Sequence, residues 1–161
     1  MPFPLPALLL ALGGPQPLVI PGSVQAEITP AAIGASQWVA QRQGAALAPS
    51  LQGKPVVVDI YASWCPACRT IEPTLRSLRQ QKAGKVSFVT FDVSDADQLK
   101  KSRERAKSLG LGAFLEANRS QTSLVAVIDP ATGTTVQTFR ASTNESAYIA
   151  AIKKAQLMLK P

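Results

Sequence analysis

Val56-Val57-Val58-Asp59-Ile60-Tyr61-Ala62-Ser63-Trp64-Cys65-Pro66-Ala67-Cys68 runs from an apolar, β-branched segment straight into the only two cysteines of the 161-residue chain. Residues 56 to 61 are apolar on both faces apart from Asp59, which predicts a strand in the middle of a sheet. A helix is predicted to start at the cysteines, since Ile71, Leu75 and Leu78 recur at helical spacing and Gly84 ends the segment. Pro66 suits the first helical position, where its missing N–H is no loss, whereas Pro73 falls inside and removes a bond. Thiols three positions apart at a helix start share a face and are near enough to bridge. The unpaired N–H groups there also favour a thiolate, the form that attacks. The pattern points to dithiol–disulfide exchange.

Composition narrows the alternatives. Two cysteines allow one short internal loop, too small for a stabilising staple, so the pair serves reactivity or a metal. The chain has no histidine, so a tetrahedral zinc site within one copy lacks its remaining ligands and a Cys–His hydrolase lacks its base. Net charge is +7, with Lys100, Lys101, Arg103, Arg105 and Lys107 crowded on one predicted helix. That cluster is either a solvated face or an attraction to acidic proteins or an anionic membrane. No aromatic residues interleave with it, which argues against nucleic acid.

Residues 1–26 form a separate block: Leu5 to Leu12 is apolar, glycines and prolines follow, and Val24-Gln25-Ala26 offers small residues at a cleavage point. An export signal is expected, although no Lys or Arg stands near Met1; Pro15, Pro17 and Pro21 break the segment short of a spanning helix. The rest, 27–161, fits a single domain. Thr29 and Pro30 open a predicted helix that includes Trp38 and Val39. Further strands are expected at Val86–Phe91, Ser123–Ile128 and Thr135–Phe139, the last two as a hairpin around Asp129-Pro130-Ala131-Thr132-Gly133. Helices are expected at Asp95–Leu109, capped by Ser94, and at Asn144–Leu159, burying Tyr148, Ile149, Ile152 and Leu157. This is an α/β domain with a mixed four-stranded sheet flanked by helices.

The strand, the Trp before the first Cys and the helix with a later proline make the chain resemble the thioredoxin fold over about residues 35–158. The resemblance implies a protein-disulfide oxidoreductase without a bound cofactor, acting on protein disulfides or thiols. Cys65 would be the exposed nucleophile and Cys68 the thiol that resolves the mixed disulfide. Asp59 would help to deprotonate Cys68, or else pair with a lysine or a backbone amide. Trp64 would flank a docking peptide or pack in the core, and Pro66 would tune the redox poise. In an oxidising compartment a reductase of this kind needs electrons from a membrane donor.

One departure stands out. The family usually carries a cis-proline just before the third core strand, beside the cysteines, where the backbone pairs with substrate. Here that place falls to Ser123 or Thr122, and a non-proline cis bond costs about 2.5 to 4 kcal/mol, so a trans peptide is expected. The departure also opens a second reading, a redox-inert or metal- or cluster-bridged dimeric binding module. The stretch from Gly110 to Gln121 is longer than usual and is expected to form a lip over the site.

Overall fold

The computed structural model describes residues 45–159. The export segment and the helix expected from Thr29 lie outside them. Four strands form one sheet: β1 (Val56–Tyr61), β2 (Ser87–Asp92), β3 (Leu124–Asp129) and β4 (Thr134–Arg140), in the order β2-β1-β3-β4. β1 runs parallel to β2 and antiparallel to β3, and β4 returns antiparallel beside β3. The parallel step is made by helix α1 (Pro66–Gln81), as a parallel crossover requires. α2 (Ala96–Leu109), α3 (Gly112–Asn118) and α4 (Glu145–Met158) complete the layers.

The two central strands are buried on both faces, which is why each reads as an unbroken apolar run. Alternation along β1 divides them between two cores. Val56, Val58 and Ile60 pack with Val89, Phe91, Ala126 and Ile128 against Ala106, Leu111 and Leu115. Val57, Val125 and Val127 pack on the other side against Ile71, Leu75 and Leu78 of α1 and Tyr148 and Ile152 of α4. Each such side chain contributes about 1.5 to 3 kcal/mol on burial. Asp59 shares a parity with Val57 and so faces the α1 side.

Three local expectations change. Ser94 does not cap α2: Asp95 does, its carboxylate accepting from Gln98 N–H at 2.8 Å, because the Ser94 hydroxyl is committed to Asp92 and the Ser63 N–H. Residues 110–121 are not a free lip. Gly110 takes φ +76° to close α2, where a Cβ would come within 3.3 Å of the Leu47 backbone, and the chain then turns at once into α3. Leu111 and Leu115 are buried in the core, and Glu116 bonds Arg103 of α2. On α4, Tyr148 and Ile152 are buried, but Ile149 is only partly so and Leu157 is exposed, since both lie off the face formed by Tyr148, Ala151, Ile152 and Ala155. Among the described residues no helix is long and apolar enough to cross a membrane.

Candidate active site

β1 delivers the chain to a tight turn in which the Cys65 N–H donates to Ala62 O at 3.1 Å. The turn is tied to the β2–α2 junction by two bonds: Ser63 N–H to Ser94 Oγ at 2.8 Å, and Trp64 Nε1–H to Ser94 O at 3.0 Å. Trp64 is thereby held with 61% of its surface exposed, so it does not pack in the core. Pro66 occupies the first helical position, as expected, and Arg69 folds back so that its guanidinium donates to Ser63 O at 3.1 Å.

Cys65 is the N-cap of α1, and its sulfur accepts the Cys68 N–H at 3.1 Å. This inward hydrogen bond makes the thiol less accessible than expected: Cys65 is 4% exposed and Cys68 2%. Both are free thiols. Burial alone would raise the Cys65 thiol, but the Cys68 thiol, the Thr122 hydroxyl and the N–H groups of Cys68 and Ala67 outweigh it and hold Cys65 below its ordinary 9.0. Burial and the Cys65 sulfur push Cys68 the other way, up to about 11. The helix start thus separates two chemically identical groups into a more acidic and a less acidic thiol.

Thr122 and Ser123 lie in the turn before β3, closed by Leu124 N–H to Gln121 O at 3.3 Å. Ser123 is buried with φ +63°, a left-handed conformation at the third turn position that usually falls to glycine. Its N–H donates to Ile60 O at 2.9 Å and its carbonyl accepts from Ala141 N–H at 3.1 Å, so its backbone is spent on holding β1 and β4 together. No cis peptide bond occurs among the described residues. Of this pair, Thr122 is the one that reaches Cys65.

Asp59 is 4% exposed, and its Oδ1 has no hydrogen-bond partner. It lines a cleft of ≈ 660 Å³ with Tyr61, Arg69, Glu72, Pro73, Arg76, Arg79 and Thr90. Burial pushes its carboxyl up to about 6, against the pull of the Arg79 guanidinium, while the Glu72 charge raises it further. Among the described residues, no group of three or more His, Cys, Asp or Glu side chains could hold a metal ion.

A family model described as thioredoxin matches residues 40–106, a stretch that contains β1, both cysteines, α1 and most of α2. The mixed four-stranded sheet flanked by helices is a thioredoxin-like fold, and the matched stretch is similar to thioredoxins. Thioredoxin C-2 of Corynebacterium nephridii is 44% identical over 43 residues, 27% of this chain and 40% of that protein. Thioredoxin-1 of Drosophila melanogaster is 33% identical over 66 residues, 41% of this chain and 61% of that protein. The matches span less than two thirds of these relatives. The oxidized form of mitochondrial thioredoxin 3 from Saccharomyces cerevisiae aligns at 25% identity with a TM-score of 0.43, over 65% of this chain and 81% of that one.

Within this thioredoxin-fold domain the sequence reading missed Glu72, Arg79 and Thr90, which surround Asp59. Their spacing held a signal: Glu72, Arg76 and Arg79 stand at helical intervals on α1, which places them along one side of the helix.

Proposed function

We propose that this chain is a thiol–disulfide oxidoreductase working chiefly as a reductase of protein disulfides. The pair of free thiols at the start of α1, with the Cys68 N–H on the Cys65 sulfur at 3.1 Å, carries the reading. The Cys65 thiolate attacks one sulfur of a substrate disulfide, forming a mixed disulfide and expelling the other sulfur as a thiolate that takes a proton. Cys68 then loses its proton to the Asp59 carboxylate through water in the cleft and attacks the Cys65 sulfur. The Cys65–Cys68 disulfide forms, the remaining substrate thiolate leaves, and two electrons have passed from the dithiol to the substrate. Asp59 serves the resolving step, because forming the internal disulfide requires Cys68 to be deprotonated.

We further propose that residues 1–26 export the domain and that a membrane-held dithiol donor reduces it again, on the ground of the apolar block Leu5–Leu12 and the need for electrons in an oxidising compartment. Thr122 and Trp64 flank the docked substrate.

The test is insulin reduction with Cys65→Ser and Cys68→Ser. Cys65→Ser should abolish it and Cys68→Ser should accumulate mixed disulfide; unchanged activity in both would end the proposal. The equilibrium potential of the pair decides direction, a value near about −270 mV marking a reductant and one near about −120 mV an oxidant.

A further inference from the structure

The cleft beside Asp59 holds a more ordered arrangement than a buried carboxylate needs for its own sake. In the sheet register Asp59 stands opposite Thr90 of β2 and Val125 of β3. Above Thr90, the Arg79 guanidinium of α1 is fixed from three directions. Its Nη2 donates to Thr90 Oγ1 at 3.2 Å, its Nη1 donates to Glu72 Oε1 at 3.4 Å, and its Cζ lies 6.0 Å from the centre of the Phe88 ring. A long side chain held at three points keeps its charge at a constant distance from the sheet. Yet neither charge of the Glu72–Arg79 pair bonds to Asp59, whose Oδ1 is left without a partner.

Other groups also face Asp59. Tyr61 on its own strand and Arg69 and Arg76 on α1 share the cleft lining. Tyr148 approaches from α4, its phenol pushed up to about 12 by burial and by the Asp59 charge. β3 presents Val125, which does not ionise, and β2 presents Thr90. Arg69 is turned toward Ser63 O and Arg76 is largely exposed, so the charges held close in the cleft are those of Arg79 and Glu72.

Resting on the reading of Asp59 as the acceptor of the Cys68 proton, we propose that Arg79 and Glu72 are opposed positioning residues for that transfer. Arg79, clamped by Thr90, Phe88 and Glu72, favours the Asp59 carboxylate; Glu72 both orients Arg79 and disfavours it. Their balance sets the pH at which Cys68 becomes competent to resolve. Removing either charge therefore moves that pH in a direction fixed by its sign. A role confined to packing would slow the step, but it would not give two shifts of opposite sign.

The experiment isolates the resolving step. Reaction of the full chain with an aromatic disulfide loads Cys65 with 5-thio-2-nitrobenzoate, and stopped-flow absorbance follows its release by Cys68 between pH 4.5 and 9. The acid limb should be absent in Asp59→Asn. It should move up by about half a pH unit or more in Arg79→Gln and down by a similar amount in Glu72→Gln, with Arg79→Lys close to the parent protein. The infrared carbonyl band of protonated Asp59, titrated in the same variants with both thiols reduced, should move in the same directions. Circular dichroism of each variant establishes that it is folded.

Shifts in one direction only, or none in the folded variants, overturn the proposal while leaving Asp59 as the proton acceptor. An acid limb that survives Asp59→Asn overturns the reading on which it rests.

Discussion

Asp59 and Asp129 are alike in burial and in lying on a central strand. Each is 4% exposed, and they sit at opposite ends of the sheet. Their partners differ completely. Asp129 closes the β3–β4 turn: its Oδ1 accepts the Ala131 N–H at 3.1 Å, and its Oδ2 accepts the Thr132 hydroxyl at 2.7 Å. Asp59 has an oxygen with no hydrogen-bond partner, in a cleft next to the redox helix. Burial alone does not mark a carboxylate as chemical. A buried carboxylate left unsatisfied costs stability, and among the described residues one is retained only at the end of β1 that carries the thiols.

The comparison is broken most severely by Asp59→Asn. If Asp59 is the base, the resolving step should slow by about 10²- to 10⁴-fold at pH 7, read as accumulated mixed disulfide, while the first attack by Cys65 changes little. Asp129→Ala should leave both steps intact.

Stability should move the opposite way. The Asp59 carboxyl is raised from 3.8 to about 6, so the folded chain binds a proton more tightly than the unfolded chain does. The stabilisation is complete below pH 3.8 and is lost as pH rises through about 6, a change on the order of 3 kcal/mol. Asparagine has no such loss. Urea unfolding of the reduced proteins should show Asp59→Asn gaining on the parent between pH 4 and 8, and a constant difference would contradict the assignment.

Asp129→Ala should cost about 1 to 3 kcal/mol, because the Ala131 N–H and the Thr132 hydroxyl lose their acceptor. The same urea titration reads it. The smallest effect belongs to Ser123→Gly, which relieves a left-handed serine and should add about 1 kcal/mol, measured as a higher thermal midpoint with unchanged thiol reactivity.

Much of this contrast can be read from the chain itself. Asp59 stands out in Val56-Val57-Val58-Asp59-Ile60 because a charge in a doubly buried strand is anomalous, and Asp129 reads as a turn residue because Pro130 and Gly133 follow. The Trp64–Cys68 motif places the thiols without ambiguity. What stays hidden depends on distant partners. Arg79 reads as an ordinary last-turn cation until α1 is laid across β2 and the guanidinium meets Thr90 and Phe88. Ser94 looks like a helix cap because its type suits one, yet the tertiary demand for its hydroxyl at Ser63 leaves the cap to Asp95. The lip expected at 110–121 became α3 because Leu111 and Leu115 find a core that local pattern does not reveal.

The pairing of β1 with β3 has a consequence for the order in which the molecule is made. β1-α1-β2 and β3-β4-α4 are each built from neighbours along the chain, and the β1–β3 seam joins them across a wide sequence gap from Val56↔Ile128 to Ile60↔Leu124. Closing that gap costs more chain entropy than pairing strands within either half, so the seam is expected to form late in folding. Asp59, Cys65 and Cys68 belong to the first half; Thr122 and Ser123 belong to the second, and the bond from Ser123 N–H to Ile60 O crosses the seam at the thiols. A chain still emerging during synthesis therefore presents both cysteines before Thr122, whose hydroxyl reaches Cys65, arrives.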